Sequence, residues 1–146
     1  MKQKPVNYWD RINLEEKGPV VRDVEVVYGV KKVRDGLAVV EFEAMQQMLG
    51  ITEERLAGLL GMSRATLHRR KKTGHLDRTE SDRLVRYARL VANAAAALGG
   101  LSGARSWLMA PAMAFNGETP LNYADTEVGA REVEALLGRL EHGVFS

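Results

Sequence analysis

The chain of 146 residues contains no cysteine. That excludes disulfides, thiolate zinc sites and cysteine nucleophiles, and it agrees with a cytoplasmic setting. Long apolar runs are missing as well. The most apolar stretch, Leu90 to Leu101, is short and holds Asn93 and a glycine pair, so it does not span a bilayer. Met1 to Asp10 is polar and lacks the apolar core of a leader. The three histidines, His68, His75 and His142, share no metal-ligand spacing. Gly99-Gly100-Leu101-Ser102-Gly103 has no following Lys-Ser/Thr and follows no strand, which argues against a phosphate loop. Neither a nucleophile–base pair nor an enclosed carboxylate pair can be picked out. The expectation is a cytoplasmic protein that is not an enzyme, needs no cofactor or metal, and meets no membrane.

What is present is charge, unevenly placed. The net charge is only +2. Residues 64–89, however, hold nine Lys/Arg against three Asp/Glu, whereas residues 112–146 hold two Arg against six Asp/Glu. A basic middle and an acidic end suggest two surfaces for two partners. Glu132, Glu134 and Glu141 read as a solvated acidic face or as part of a surface that meets a basic partner.

Periodicity points to an all-α fold. Val20 to Val33 permits a short strand or a helix, and the helical remainder of the chain favours the helix. Asp35-Gly36 is a turn signal. In Leu37 to Leu49, Ala38, Phe42, Met45 and Leu49 recur on one helical face. Thr52 can cap a helix with Glu53 and Glu54 in its first turn. Gly61 stops that helix, Ser63 can cap the next, Arg64 to Lys72, and Gly74 ends it. A longer helix is expected to Leu98, capped by Thr79 with Asp82 three residues on. Its stripe is Leu84, Tyr87, Ala88, Val91, Ala95 and Leu98. Then come a short helix over Gly103 to Leu108 carrying a core Trp107, a stop at Pro111, a turn at Asn116-Gly117 and a single helical turn after Thr119-Pro120. Thr126 caps the last helix, with Val128, Val133, Leu136, Leu137 and Leu140 on its apolar side, closed by His142-Gly143.

Two short helices joined by a glycine-containing turn make a helix-turn-helix, whose second helix enters the DNA major groove. The small residue that lets the helices cross closely is Ala57. Gly61 permits the turn, Leu67 pins the second helix, and Leu56, Leu60 and Met62 fill the inside. Ser63, Arg64, Ala65, His68, Arg69 and Lys72 then point outward at helical spacing, with Thr66, Arg70 and Lys71 completing the candidate DNA-binding set. Arg64 and Arg69 suit guanine, because a guanidinium bonds bidentately to O6 and N7. Ser63, Arg70, Lys71 and Lys72 suit phosphates, which position without reading sequence.

From about Leu37 to Ser146 the chain resembles the Xre/MbcA/ParS family of antitoxins. Two blocks carry the resemblance. The first is SRATLHRRKKTGHLDRTESDRLVRYARL, residues 63–90, and the second is ARSWLMAPAMAFNGETPLNYADTEVGAREVEALLGRLEHGVFS, residues 104–146. The resemblance implies a type II antitoxin, as in the RES–Xre toxin–antitoxin systems. Its partners would be a cognate RES-domain toxin that uses NAD and the operator DNA of its own genes, and it would act as a homodimer within a larger assembly. It implies a helix-turn-helix and dimerisation domain over 37–98 and a toxin-binding domain over 99–146, while residues 1–36, polar at first and with Pro5 and Gly18-Pro19, read as an N-terminal arm or lead-in. It also implies that the last residues, Glu141, His142, Gly143, Val144, Phe145 and Ser146, cover the toxin's active-site cleft. Phe145 would bury apolar area there, contributing ~1.5–3 kcal/mol, and the terminal carboxylate would meet basic groups meant for phosphate. Leu84, Val91 and Ala94 to Ala97 are the expected dimer contact. The alternative is a transcription regulator or chromosome-segregation factor of similar fold without a toxin.

Overall fold

The computed structural model describes residues 21–143, with side chains from residue 28 onward. Tyr8 and Trp9, two aromatic side chains suited to tacking an N-terminal arm to the surface, lie outside the described residues, as does the terminal Val144-Phe145-Ser146. The described residues form eight α-helices and one 3-10 turn: α1 Val21–Asp35, α2 Val39–Leu49, α3 Glu53–Leu59, α4 Arg64–Thr73, α5 Arg78–Leu98, α6 Leu101–Leu108, the 3-10 turn Met113–Phe115, α7 Pro120–Tyr123 and α8 Glu127–Glu141. The all-α class is therefore as the periodicity predicts.

Helix α5 is the axis of the fold. It packs against α1, α6 and α8, and Leu84, Tyr87, Ala88, Leu90, Val91, Ala92, Ala94 and Ala95 are all buried. One contiguous apolar cluster runs from Tyr28 on α1 to Leu137 on α8. This placement overturns the expected dimer contact: Leu84, Val91, Ala94 and Ala95 are spent inside the chain. The small side chains in this stretch allow close packing within the chain. The cap of α5 also differs from expectation. Asp77, not Thr79, accepts from the Glu80 amide at 2.7 Å. The Glu80 carboxylate returns the bond by accepting from the Asp77 amide at 2.9 Å, closing a capping box. Both Thr-x-x-Asp and Asp-x-x-Glu fit the local signature; a cationic partner for Glu80, described below, favours the second.

The N-terminal half of the fold closes on itself through backbone pairing. The Leu76 amide donates to the Leu37 carbonyl at 2.8 Å and the Val39 amide to the Gly74 carbonyl at 2.9 Å. These bonds form an isolated antiparallel bridge between Ala38 and His75. Gly36 enters this strap with φ 94°, and a Cβ there would collide with the Leu76 carbonyl. Helix α1 breaks its path at Gly29, φ 68°, and buries Tyr28 against the core, so the second half of the expected lead-in is structural. On α2, Phe42, Met45 and Leu49 point inward as the stripe predicts, while Ala38 serves as the N-cap.

In the C-terminal half, α6 begins two residues before Gly103, with Ala104 and Leu108 buried and Trp107 half-buried against the core. Thr119 caps α7 by accepting from the Asn122 amide, with Pro120 at the first position. Thr126 caps α8 by accepting from the Gly129 amide. Helix α8 buries Gly129, Ala130, Val133 and Leu137. Val128, expected on that apolar side, is 71% exposed. Its neighbour Gly129 takes the inward position, where any Cβ would strike the Tyr123 carbonyl.

Candidate nucleic-acid interface and C-terminal surface

Helix α3 starts where the Thr52 hydroxyl accepts from the Arg55 amide at 3.1 Å. It ends in a turn tied by bonds from the Gly61 amide to the Gly58 carbonyl and from the Met62 amide to the Ala57 carbonyl. Gly61 has φ 80°, in the left-handed region, and a Cβ there would run into the Arg83 guanidinium. That guanidinium donates to the Leu60 carbonyl at 2.9 Å, clamping the turn onto α5. Ser63 then caps α4, its hydroxyl accepting from the Thr66 amide at 3.1 Å. Leu56, Leu60, Ala57, Met62 and Leu67 are all buried, at 6% exposure or less. The five inner positions read from the sequence are the five that lock the motif.

The outer face of α4 divides the cationic block in two. Ser63, Arg64, Ala65, His68, Arg69 and Lys72 are exposed and Thr66 is half-buried. The Arg69 Nη2 donates to the Thr66 hydroxyl oxygen at 3.1 Å, and the Ser63 hydroxyl donates to that same oxygen. Among the described residues, Arg64, Arg69 and Lys72 make no ion pair with an acid. Arg70 and Lys71 are placed differently from their expected phosphate role. Arg70 turns back to α5, donating to Glu80 through Nε at 2.8 Å and Nη2 at 3.2 Å, and to Asp77 at 3.2 Å. Lys71 pairs with Glu53 of α3, and that hydrogen bond holds its amine above the ordinary lysine range. None of the three acids stands at i±3 or i±4 from its cation, so no local pattern signals these pairings. Arg70 thus has a buried acidic partner, Glu80.

The charge asymmetry of the sequence is also partly internal. Arg86 donates to Glu127 at 3.1 Å and Arg89 to Glu134 at 3.0 Å, joining α5 to α8. Thus two cations of the basic middle neutralise two acids of the acidic end. Glu132 accepts from the Tyr123 hydroxyl, a bond that pushes the phenol pKa up. Two more arginines tie the halves together. Arg55 of α3 reaches Asn122 at 3.3 Å, and Arg105 of α6 donates to the Met48 carbonyl at 2.8 Å. Tyr87 crosses the core, its hydroxyl donating to the Leu121 carbonyl at 3.2 Å, and burial pushes its phenol well above the usual range, with Asp125 adding to the effect.

At the far end, Glu141 closes α8, the His142 amide donates to the Gly138 carbonyl, and Gly143 follows with φ 68°. All three residues are exposed, and the remaining three of the expected tail lie beyond the described residues. No group of acids and histidines among the described residues has the arrangement of a metal site, and no described helix is long and apolar enough to cross a membrane.

Residues 29–89 match the antitoxin Xre-like helix-turn-helix domain, and residues 93–143 match the antitoxin Xre/MbcA/ParS C-terminal toxin-binding domain. Three curated relatives are each named antitoxin Xre. The one from Yersinia enterocolitica is 33% identical over 119 residues, 80% of either chain. That from Photorhabdus laumondii is 33% identical over 93 residues, 63% of this chain and 62% of the relative. That from Pseudomonas putida is 39% identical over 64 residues, 44% of this chain and 40% of the relative. The locked motif with its exposed cations, the second helical unit built on α5, and these similarities agree: the chain belongs to the Xre family of antitoxins, a helix-turn-helix domain followed by a C-terminal toxin-binding domain.

Proposed function

We propose that this antitoxin binds the operator of its own toxin–antitoxin genes through the outer face of α4 and represses them. The carrying observation is the division of the cationic block. Among the described residues, Arg64, Arg69 and Lys72 face solvent without an acidic partner, while Arg70 and Lys71 are held by Glu80, Asp77 and Glu53. In this reading Arg64 and Arg69 read base edges, with Thr66 steadying Arg69. Ser63, Ala65, His68 and Lys72 line the groove and its phosphates, and Arg70 and Lys71 contribute field more than contact. Two copies acting as a homodimer multiply the weak affinity of one motif by presenting two half-sites.

The same chain neutralises, without catalysis of its own, a RES-domain toxin that consumes NAD. Residues 37–98 serve DNA and residues 99–146 serve the toxin. The tail from Glu141 to Ser146 covers the toxin's cleft, and the setting is cytoplasmic. Support comes from the resemblance of residues 104–146 and from the exposed end of α8 that launches this tail. Deleting Val144 to Ser146 is the test. Operator binding should persist at wild-type affinity while protection of cells against the toxin is lost. Full protection by the truncated chain would remove the tail from the mechanism.

A further inference from the structure

Four large hydrophobic residues are prominently exposed among the described residues: Val30, Val40, Met113 and Val128. Single exposed apolar side chains are ordinary, so exposure alone decides nothing. Met113 differs in two respects. At 97% it is almost fully exposed, and it stands on a rigid turn. The Ala112 amide donates to the Glu118 carbonyl and the Gly117 amide to the Ala112 carbonyl, each at 3.0 Å. Phe115 and Asn116 close the same turn from within by bonding Ala112 and Met113. Asn116 has φ 56°, the one positive φ outside glycine among the described residues, the left-handed conformation that asparagine adopts readily where a helical turn ends. Beneath, Phe115 is buried and stacks on Tyr123 with ring centroids 4.6 Å apart. Around the methionine, Ala110, Pro111 and Ala114 are exposed and compact, so its side chain stands clear of its neighbours.

We infer that Met113 is an anchor that enters an apolar pocket on the toxin, a contact separate from the C-terminal tail. The inference rests on the toxin-binding assignment of residues 93–143, which include this turn. A held turn loses little conformational freedom on binding, and an unbranched thioether fits an irregular apolar pocket. The position lies outside both the α4 face and the tail.

The test uses the full chain and the purified product of the adjacent toxin gene, titrated calorimetrically. Met113→Gln should weaken binding by about tenfold or more, while Met113→Leu, which keeps the apolar bulk, should stay within about threefold. Thermal midpoint and operator affinity should not change in either variant. A benzophenone side chain at position 113 should crosslink to the toxin on irradiation. Unchanged affinity of Met113→Gln with no crosslink, where the wild-type chain binds, would overturn the inference alone. Failure of the wild-type chain to bind would instead overturn the toxin reading, and the inference with it.

Discussion

Replacing Glu80 by alanine separates a structural ion pair from a decorative one. The Glu80 side chain is 8% exposed and accepts two bonds from Arg70, at 2.8 and 3.2 Å, and one from the Asp77 amide at 2.9 Å. Losing the N3 half of the capping box costs ~0.3–1.5 kcal/mol, and hydrogen bonds to charged groups contribute ~1.5–3 kcal/mol. These figures do not add. The Arg70 side chain is 25% exposed and still has Asp77 at 3.2 Å, so water and that second acid offset part of the loss. The expected destabilisation is about 2 kcal/mol by chemical denaturation, or a fall of roughly 5–8 °C in thermal midpoint. Glu80→Gln retains an acceptor for the Asp77 amide and should lose about half as much. A double-mutant cycle with Arg70→Ala should give a coupling of about 1 kcal/mol or more. DNA binding should not fall, because Arg70 is released toward the phosphates, and the salt dependence should steepen by at most about one phosphate contact, ~0.9 in log–log slope. A Glu80→Ala protein within about 0.5 kcal/mol of wild type, or purely additive single effects, would refute the assignment of Arg70 to the fold.

The division of the cationic block makes a second prediction. Arg69→Ala should weaken specific operator binding by ~1–3 kcal/mol at fixed salt, whereas Lys71→Ala should leave it near wild type; fluorescence anisotropy on operator and scrambled duplexes checks both. Gly61→Ala should destabilise by ~1–3 kcal/mol, since it puts a side chain at φ 80° and displaces the Arg83 guanidinium from the Leu60 carbonyl; an unchanged denaturation midpoint would contradict that. Tyr87 carries a pH prediction. Its folded phenol is raised above the ordinary value of about 10, so above that pH the unfolded chain releases a proton that the folded chain retains. Stability is therefore fully present below about pH 10 and falls as pH rises beyond it. Tyr87→Phe should cost about 1 kcal/mol at neutral pH through the lost bond to the Leu121 carbonyl and should flatten the alkaline decline.

Much of this was legible in the residues. Thr52, Ser63, Thr119 and Thr126 cap the helices they were expected to cap, because a hydroxyl before an apolar-periodic run has one good local use. Ala57, Gly61 and Leu67 occupy the roles their spacing dictates, since the crossing of two short helices leaves room for little else. Long-range partners were not legible. Arg70–Glu80, Lys71–Glu53 and Arg89–Glu134 join residues 10, 18 and 45 positions apart, distances set by packing rather than by helical period. The cap of α5 was missed by two residues because Thr79 and Asp77 carry equivalent local signatures and only the distant Arg70 distinguishes them. The alanine-rich face of α5 was misread as an intermolecular surface for a related reason: small residues signal close approach without naming what approaches.

The decisive experiment follows NAD in cells that express the product of the adjacent toxin gene, with and without this chain. NAD should collapse when that product is expressed alone and recover when the chain is co-expressed, and the chain lacking Val144 to Ser146 should fail to restore it. Growth arrest with NAD unchanged, or arrest that the chain does not relieve, would contradict neutralisation of an NAD-consuming toxin and would leave the α4 face and its operator as the activity to explain.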